Sequence, residues 1–438
     1  MIIININHLK TMSKKNSNIL AIGIMFFLFA MISFVTGLQN PMGIIVKSQF
    51  EATNAMSQLG NLANFIAYAF MGLPAGFILK KYGYKITALA AVAVGFIGVG
   101  ISFLSGVAES FAVYLTGAFV SGFSMCMLNT VVNPMLNTLG GGGNKGNQLI
   151  QLGGSLNSLA ATIIPVLVGY LIGEVTAETS ISDANPALFI AMGIFALAFV
   201  IIVFSEIPEP ELEAAKAAGA RKDMTEDTMS SIQGALSHKN LVFGVIAIFL
   251  YVGIEVGIPN IANLYMTSPE IGMSAGVAGT VVGMYWLLML VGRLVGGVVG
   301  GKVSSKLMMT VVSSLAIVFI LIGMFLPGTM VKFPAFNRDL SFALVDMPLG
   351  VVFFVLCGLC TSVMWGAIFN LAVEGLGKYT SIASGLFMVM VCGGGILPVI
   401  QGAVADSFGF INSYWVLVIA LAYLLSFALF LSKPDKRK

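Results

Sequence analysis

Charge is what this sequence has least of. Of its 438 residues only 9% are Asp, Glu, Lys or Arg, against about 25% in an ordinary soluble domain. With 58% hydrophobic residues and a mean hydropathy of +0.97, the composition excludes a large soluble core and points to a polytopic membrane protein. Histidine is almost absent. His8 and His238 both fall outside the long apolar runs, which removes the usual proton relay near neutral pH. Cysteine is scarce too, and Cys126, Cys357, Cys360 and Cys392 all lie inside apolar runs. The Cys357-Gly-Leu-Cys360 spacing stands without a second pair, so it reads as small buried residues rather than a metal or redox site. No Ser/His, HExxH or paired-Asp constellation occurs within an apolar run, so a membrane hydrolase lacks its machinery. About thirty polar residues near the middle are too few for the output domain of a sensor. Neither an enzyme nor a cofactor is expected. The net charge of +3 says little about partners, and no nucleic acid is expected among them.

What the sequence has is apolar runs of spanning length. Hydropathy and the Gly, Pro and charge breaks predict twelve spans near 19–41, 57–79, 87–107, 112–137, 148–173, 185–206, 240–266, 275–300, 307–327, 349–374, 381–404 and 409–432. The expected fold class is an all-α membrane protein of twelve transmembrane helices in two six-helix bundles. Residues 1–18 form an N-terminal segment, 19–206 the first bundle, 207–239 a polar linker, 240–432 the second bundle and 433–438 a tail. Lys10, Lys14 and Lys15 before the first run resemble the start of a signal peptide. That run is about twenty residues long and lacks an evident small-x-small cleavage site, so it reads as a retained first helix. With the N-terminus inside, inner segments hold eighteen Lys and Arg and outer loops three: Lys47, Lys332 and Arg338. The positive-inside rule then places both termini and the linker in the cytoplasm. The halves echo each other: Asn133…Leu139-Gly140 recurs as Asn370…Leu376-Gly377, and Pro165 with Gly169 as Pro398 with Gly402. Repeated halves with a site between them are the common transporter plan.

The most informative stretch is Phe249-Leu-Tyr-Val-Gly-Ile-Glu255-Val-Gly-Ile-Pro259-Asn260 in span 7. An ionisable residue deep in a bilayer costs about 2.5–3.5 kcal/mol on insertion scales and usually faces a cavity or a partner. Gly253 and Gly257 allow a close neighbour, and Pro259 frees a backbone carbonyl. Glu255 is therefore either a staple between helices or a binding-site carboxylate, with Tyr251 one turn away on the same face. Arg293, in span 8, has three options: snorkelling to the interface, reaching helix carbonyls, or pairing with an acid such as Glu374.

Polar stripes at helical spacing mark the first half. They are Ser33, Thr36 and Asn40; Ser57, Asn61, Asn64 and Tyr68; Asn129, Asn133 and Asn137; and Gln148, Gln151, Ser155 and Ser158 with Asn157 alongside. Each amide singly reads as glue between helices, at about 0.6 kcal/mol per bond. Four striped helices together suggest a hydrated cavity. Amides offer donors and acceptors to the neighbouring hydroxyls of a neutral polyol. Tyr251, Tyr285, Trp286, Trp365 and Phe369 offer faces on which a sugar ring stacks. A drug exporter would have a more apolar cavity without these amides.

Several motifs together carry a family resemblance. They are Phe249 to Val256, Tyr285-Trp286…Gly292-Arg293…Gly296, Ile368-Phe369…Gly375-Leu-Gly377-Lys378, Asn133-Pro134, Asn157-Ser158, Gly394-Gly-Ile-Leu-Pro398 and Ala405-Asp406. Over residues 20–430 the chain resembles the fucose–galactose–glucose:proton symporters of the major facilitator superfamily. The loop Gly76…Lys80-Lys81-Tyr82-Gly83-Tyr84-Lys85 resembles the superfamily's gating loop, which gives Lys81, Lys85 and Arg293 conformational roles. The resemblance implies two bundles rocking about a central monosaccharide site, in a monomer of the cell inner membrane, surrounded by lipid. The expected substrate contacts are Asn40, Asn61, Asn64, Tyr68, Asn129, Asn133, Gln151, Asn157, Tyr251, Trp286, Trp365 and Asn370, with Glu255 as the coupling group. Where the family's fucose transporter has acids in spans 1 and 4, this chain has Asn40 and Asn129, which cannot exchange a proton in this pH range. Coupling through Glu255 to H+ or Na+, or a uniporter without coupling, remain as readings.

Overall fold

The computed structural model describes residues 2–140, 143–172, 179–209, 232–299, 303–326, 329–336, 342–376 and 379–433. Most of the linker expected at 207–239 and nearly all of the tail expected at 433–438 lie outside the described residues. Twelve helical passes follow in chain order. They are α1 (Ile2–Gln49), α2 (Leu59–Leu79), α3 (Lys81–Val107), α4 (Phe111–Leu139), α5 (Gly143–Ile172) and α6 (Asn185–Phe204), then α7 (Lys239–Met266), α8 (Ala275–Val299) and α9 (Ser305–Phe325). The tenth, α10, is a bent pair, Leu349–Thr361 with Met364–Val373; α11 runs as Thr380–Met390 and Gly393–Phe408; α12 is Phe410–Leu431. Ten of these helices are long and apolar enough to span a bilayer, and the bent pair makes an eleventh. The remaining pass is α5, whose apolar stretch Leu152–Ile164 lies within a helix that runs on to Ile172.

Two elements differ from the sequence expectation. The first helix starts at Ile2 and continues to Gln49, rather than covering 19–41. Pro41 does not end it, since a proline in a long helix leaves carbonyls that neighbouring groups satisfy. Between α9 and α10, where an outer loop was expected, stands a hairpin of β1 (Met330–Phe336) and β2 (Phe342–Pro348), with Lys332 opposite Asp346. Val331 and Phe333 pack on the core while Met330 and Lys332 are exposed. Such alternation is that of a half-buried strand.

Helix ends inside the first half are tied by charge. Gly83, near the start of α3, makes the kink with α2 at φ +82°, a conformation glycine adopts without steric cost. Beyond it the Glu209 carboxylate accepts from the amides of Tyr84 at 2.7 Å and Lys85 at 2.8 Å. The Lys85 ammonium in turn donates to the carbonyls of Val203 at 2.9 Å and Ser205 at 2.8 Å. An acid thus caps the start of α3 and a base the end of α6, each opposite the favourable pole of a helix dipole. Lys81 takes no part and lies exposed, its ammonium 5.1 Å from the Tyr82 ring centre.

This junction generates a prediction. A β-carbon on Gly83 would collide with the Glu209 carboxylate and also meet an unfavourable φ. Gly83→Ala is expected to destabilise the protein by about 1–3 kcal/mol, read as a lowered Tm of the purified protein in detergent. A Tm equal to that of the parent would refute the cap.

Candidate functional site

The centre of the molecule is built on α7. A side chain at Gly253 would come within 2.6 Å of Leu397 in α11, and one at Gly257 within 2.6 Å of the Gln401 amide oxygen. The two glycines therefore let α11 lie directly against α7. Pro259 has no N–H, so the carbonyl of Glu255, four residues earlier, loses its helical partner. The Tyr414 hydroxyl donates to the neighbouring Ile258 carbonyl at 3.0 Å. Glu255 thus sits where the backbone of α7 is already open to partners from outside its own helix.

The partner of the Glu255 side chain is Arg293 of α8. Arg293 Nη2 stands 3.3 Å from Glu255 Oε1, with the two side chains only 15% and 13% exposed. Arg293 Nη1 donates to the Gly154 carbonyl at 2.6 Å and to the Ser158 hydroxyl at 2.8 Å. One guanidinium therefore joins α7 and α8 of the second half to α5 of the first. Its planar fork suits such divided work. Of the three options for Arg293, reaching a helix carbonyl and pairing with an acid are both realised, but the acid is Glu255 and not Glu374. That residue is exposed at the end of α10, where the Asn240 amide accounts for its carbonyl at 2.9 Å.

Aromatic side chains surround the ion pair. Tyr251 and Trp365 meet edge to face at 6.2 Å between ring centres, and Tyr285 and Trp286 do so at 5.2 Å. Both tyrosines lie within electrostatic reach of Glu255. The Tyr285 and Thr361 hydroxyls hydrogen-bond at 3.0 Å, which fixes Tyr285 against α10. Tyr251 and Tyr285 are buried, whereas Trp286, Trp365 and Phe369 are partly exposed. A carboxylate and a guanidinium framed by indole faces suit a ligand with hydroxyl edges and an apolar ring face.

The amides of the first half divide into groups. Asn129 donates to the Tyr68 hydroxyl at 3.0 Å and to the Met125 carbonyl at 3.1 Å, and Asn133 donates to the Asn129 carbonyl at 2.9 Å. These two amides are partly exposed and each donates to a carbonyl of its own helix, while Asn129 also reaches the buried Tyr68 of α2. Asn157, also partly exposed, donates to the Phe29 carbonyl of α1 at 3.1 Å. Asn61 and Asn64 are buried. Asn61 donates to the Gly394 carbonyl of α11 at 2.7 Å, and Asn64 to the Ala118 carbonyl of α4 at 3.2 Å. Asn370 lies apart, exposed and 3.4 Å from the Ser305 hydroxyl at the start of α9. The side chains of Asn40 and Gln151 fall outside the described residues.

The sequence reading missed Thr361, Gln58, Asn260 and the Gly154 carbonyl as partners. Gln58 lay one residue beyond Ser57 of a stripe, so its helical phase hid it. A backbone carbonyl has no sequence signature. Among the described residues no three His, Cys, Asp or Glu side chains converge as metal ligands would.

Known proteins share this architecture. The family model of the Major Facilitator Superfamily matches residues 24–397. A glucose/galactose transporter of Brucella abortus is 28% identical over 435 residues, covering 97% of each chain. The L-fucose-proton symporter of Escherichia coli K12 is 22% identical over 434 residues, covering 93% of each. Among solved structures, the transporter FucP in its outward conformation superposes with a TM-score of 0.67 at 20% identity, over 95% of this chain and 100% of that one. The nucleoside transporter NupG gives 0.62 at 15% identity, over 94% and 97%. With most of its length matched by the family model and the fold shared from end to end, this multi-pass membrane chain belongs to the Major Facilitator Superfamily.

Proposed function

We propose that this chain imports a monosaccharide, a hexose or a deoxyhexose such as fucose, glucose or galactose, across the cell inner membrane by alternating access. The observation that carries the reading is the Glu255–Arg293 pair with its two Tyr–Trp edges, set where α5 of one half meets α7 and α8 of the other. The partly exposed amides Asn129, Asn133 and Asn157 add the hydrogen-bonding capacity that a polyol needs. Relatives named for glucose, galactose and fucose support the same substrate class. In this reading two bundles, 19–206 and 240–432, rock about the site as a monomer, with the linker and both termini in the cytoplasm. The excess of Lys and Arg on that side supports the orientation.

Glu255 is the proposed coupling group. Arg293 already stands against its carboxylate, so a sodium ion there would meet a fixed positive charge, while a proton would neutralise the acid and release the guanidinium. The geometry therefore favours a proton over sodium. A uniporter is the second reading, favoured by the amides at positions 40 and 129. Counterflow in proteoliposomes against a panel of labelled monosaccharides, with and without sodium and a pH gradient, tests substrate and coupling together. Failure of every sugar would overturn the substrate class.

Three variants sharpen the test. Asn133 donates to its own helix, so Asn133→Ala is expected to raise the half-saturating sugar concentration about fivefold or more, the loss of one bond of roughly 1 kcal/mol, with Tm nearly unchanged. Normal apparent affinity would assign Asn133 to the helix alone. Glu255→Gln is expected to abolish accumulation against a gradient and to spare downhill exchange; undiminished accumulation would place coupling elsewhere. Arg293→Gln leaves Glu255 without the cation beside it, whereas Glu255→Gln leaves Arg293 its bonds to Gly154 and Ser158. Arg293→Gln should therefore lower Tm more than Glu255→Gln, and the double variant should recover part of the loss. Additive losses in the double variant would argue against a coupled pair.

A further inference from the structure

Helices α2 and α11 come from different halves and lie together along their length. The contacts run from Asn54 beside Asp406, through Asn61 beside Gly394, to Gly72 beside Val389. At the end where α1 finishes and α2 begins, the contact changes character. There the Asp406 carboxylate accepts from the backbone amides of Asn54 at 2.8 Å and Ala55 at 3.0 Å. These amides open the turn Asn54–Ser57, which leads through Gln58 into α2, so they have no carbonyl of their own helix to bond. Their approach depends on Gly402, where a β-carbon would stand 2.8 Å from the Asn54 carbonyl oxygen and 2.9 Å from Ala55 N. The Lys47 ammonium at the end of α1 donates to the Asn54 side-chain oxygen and lies 5.3 Å from the ring centre of Phe410, at the start of α12. One turn deeper, Asn260 of α7 donates to the Gln58 side-chain oxygen at 3.0 Å.

We infer that Asp406, seated through Gly402, is a removable cap on the start of α2 that latches the two halves shut on the face opposite the termini. Asp406 is exposed, so either partner can turn to water when the halves part. No unpaired charge is then left buried, as would happen if a deep ion pair broke. The cap also lies opposite the positive pole of α2, where a carboxylate is favoured and an amide is not. Asn260 and Gln58 add a neutral bond at the same end, made and broken with the cap. The inference rests on the transport reading for its purpose, since a carrier must close this face before opening the other. Its geometry stands without that reading.

The test needs no sugar. Met56 in the turn before α2 and Ser407 on α11 are exposed and sit beside the cap. Spin labels at Met56→Cys and Ser407→Cys, in a background with the four native cysteines changed to Ala, report their separation by pulsed electron resonance in lipid nanodiscs. The parent should show a short-distance population. Asp406→Asn should lower the ratio of short to long about fivefold, equivalent to about 1 kcal/mol at a partly solvated helix end. Asp406→Glu, which keeps the charge, should hold most of the short population. Gly402→Val should abolish it, since the β-carbon keeps α2 away whatever residue 406 is. The inference is overturned if the parent shows only long separations, or if Asp406→Asn and Gly402→Val both leave the distribution unchanged. Because no ligand is added, failure of every sugar in the counterflow assay would overturn the substrate reading and leave this measurement intact.

Discussion

The arrangement depends on one guanidinium. Arg293 bonds to Glu255 of α7 and to the Gly154 carbonyl and Ser158 hydroxyl of α5. Glu255 and Arg293 offset each other's burial, since an ion removed from water carries a penalty of several kcal/mol that a close partner of opposite charge reduces. The pair in turn dictates what surrounds it. Gly253 and Gly257 bring α11 against α7, and the bond between Tyr285 and Thr361 holds an aromatic wall beside the carboxylate. Because the same guanidinium reaches α5, any change in the charge of Glu255 is felt at the junction of the halves.

Prolines and amides form the second layer of constraint. Inside a bilayer a carbonyl released by proline has no water to accept from, so a side chain must come to it. Pro398 removes the partner of the Gly394 carbonyl four residues earlier, and the Asn61 amide of α2 occupies that place at 2.7 Å. Asn240 does similar work at the end of α10, donating to the carbonyls of Ala372 and Glu374, both at 2.9 Å. These amides are structural in geometry although their spacing matches that of Asn129 and Asn133. What separates the two kinds is the element across from them.

That distinction explains how much of the site the sequence disclosed. The fold class was legible because apolar length is a property of single segments, and it held for the passes of the bundle. Glu255 stood out because an acid between two glycines inside an apolar run has few inexpensive explanations. Its partner was less legible. Pairing Arg293 with Glu255 rather than Glu374 depends on the rotational phase of α7 and α8 about their axes, to which loop lengths are blind. The hairpin of β1 and β2 escaped because Pro334 and a short polar stretch resemble a loop when read singly. Only the register of the two strands, Met330 opposite Pro348 through Phe336 opposite Phe342, makes the alternation a sheet. The two fates of the striped amides were hidden for a related reason, since donation to a backbone carbonyl leaves no complementary residue in the sequence.

The bonds that cross between the halves have a common physical form. Asn61 meets a backbone carbonyl, Arg293 meets a carbonyl and a hydroxyl, Asn260 meets an amide oxygen, and Asp406 meets two backbone amides. In each of these crossing bonds at least one partner is neutral, so among the described residues parting the halves separates no salt bridge between them. Water can replace a neutral partner at modest net cost, because a hydrogen bond contributes only about 1 kcal/mol between neutral groups, and about 1.5–3 kcal/mol to a charged one, once exchange with water is counted. The full ion pair of Glu255 and Arg293 stays within the second half, and the charge-assisted ties of Glu209 and Lys85 stay within the first. The crossing bonds of Arg293 and Asp406 are charge-assisted like those of Lys85 and Glu209, and each runs to a neutral group rather than to an opposite charge. In the transport reading proposed above, a seam of such bonds is one across which two packings of the halves can differ by only a few kcal/mol.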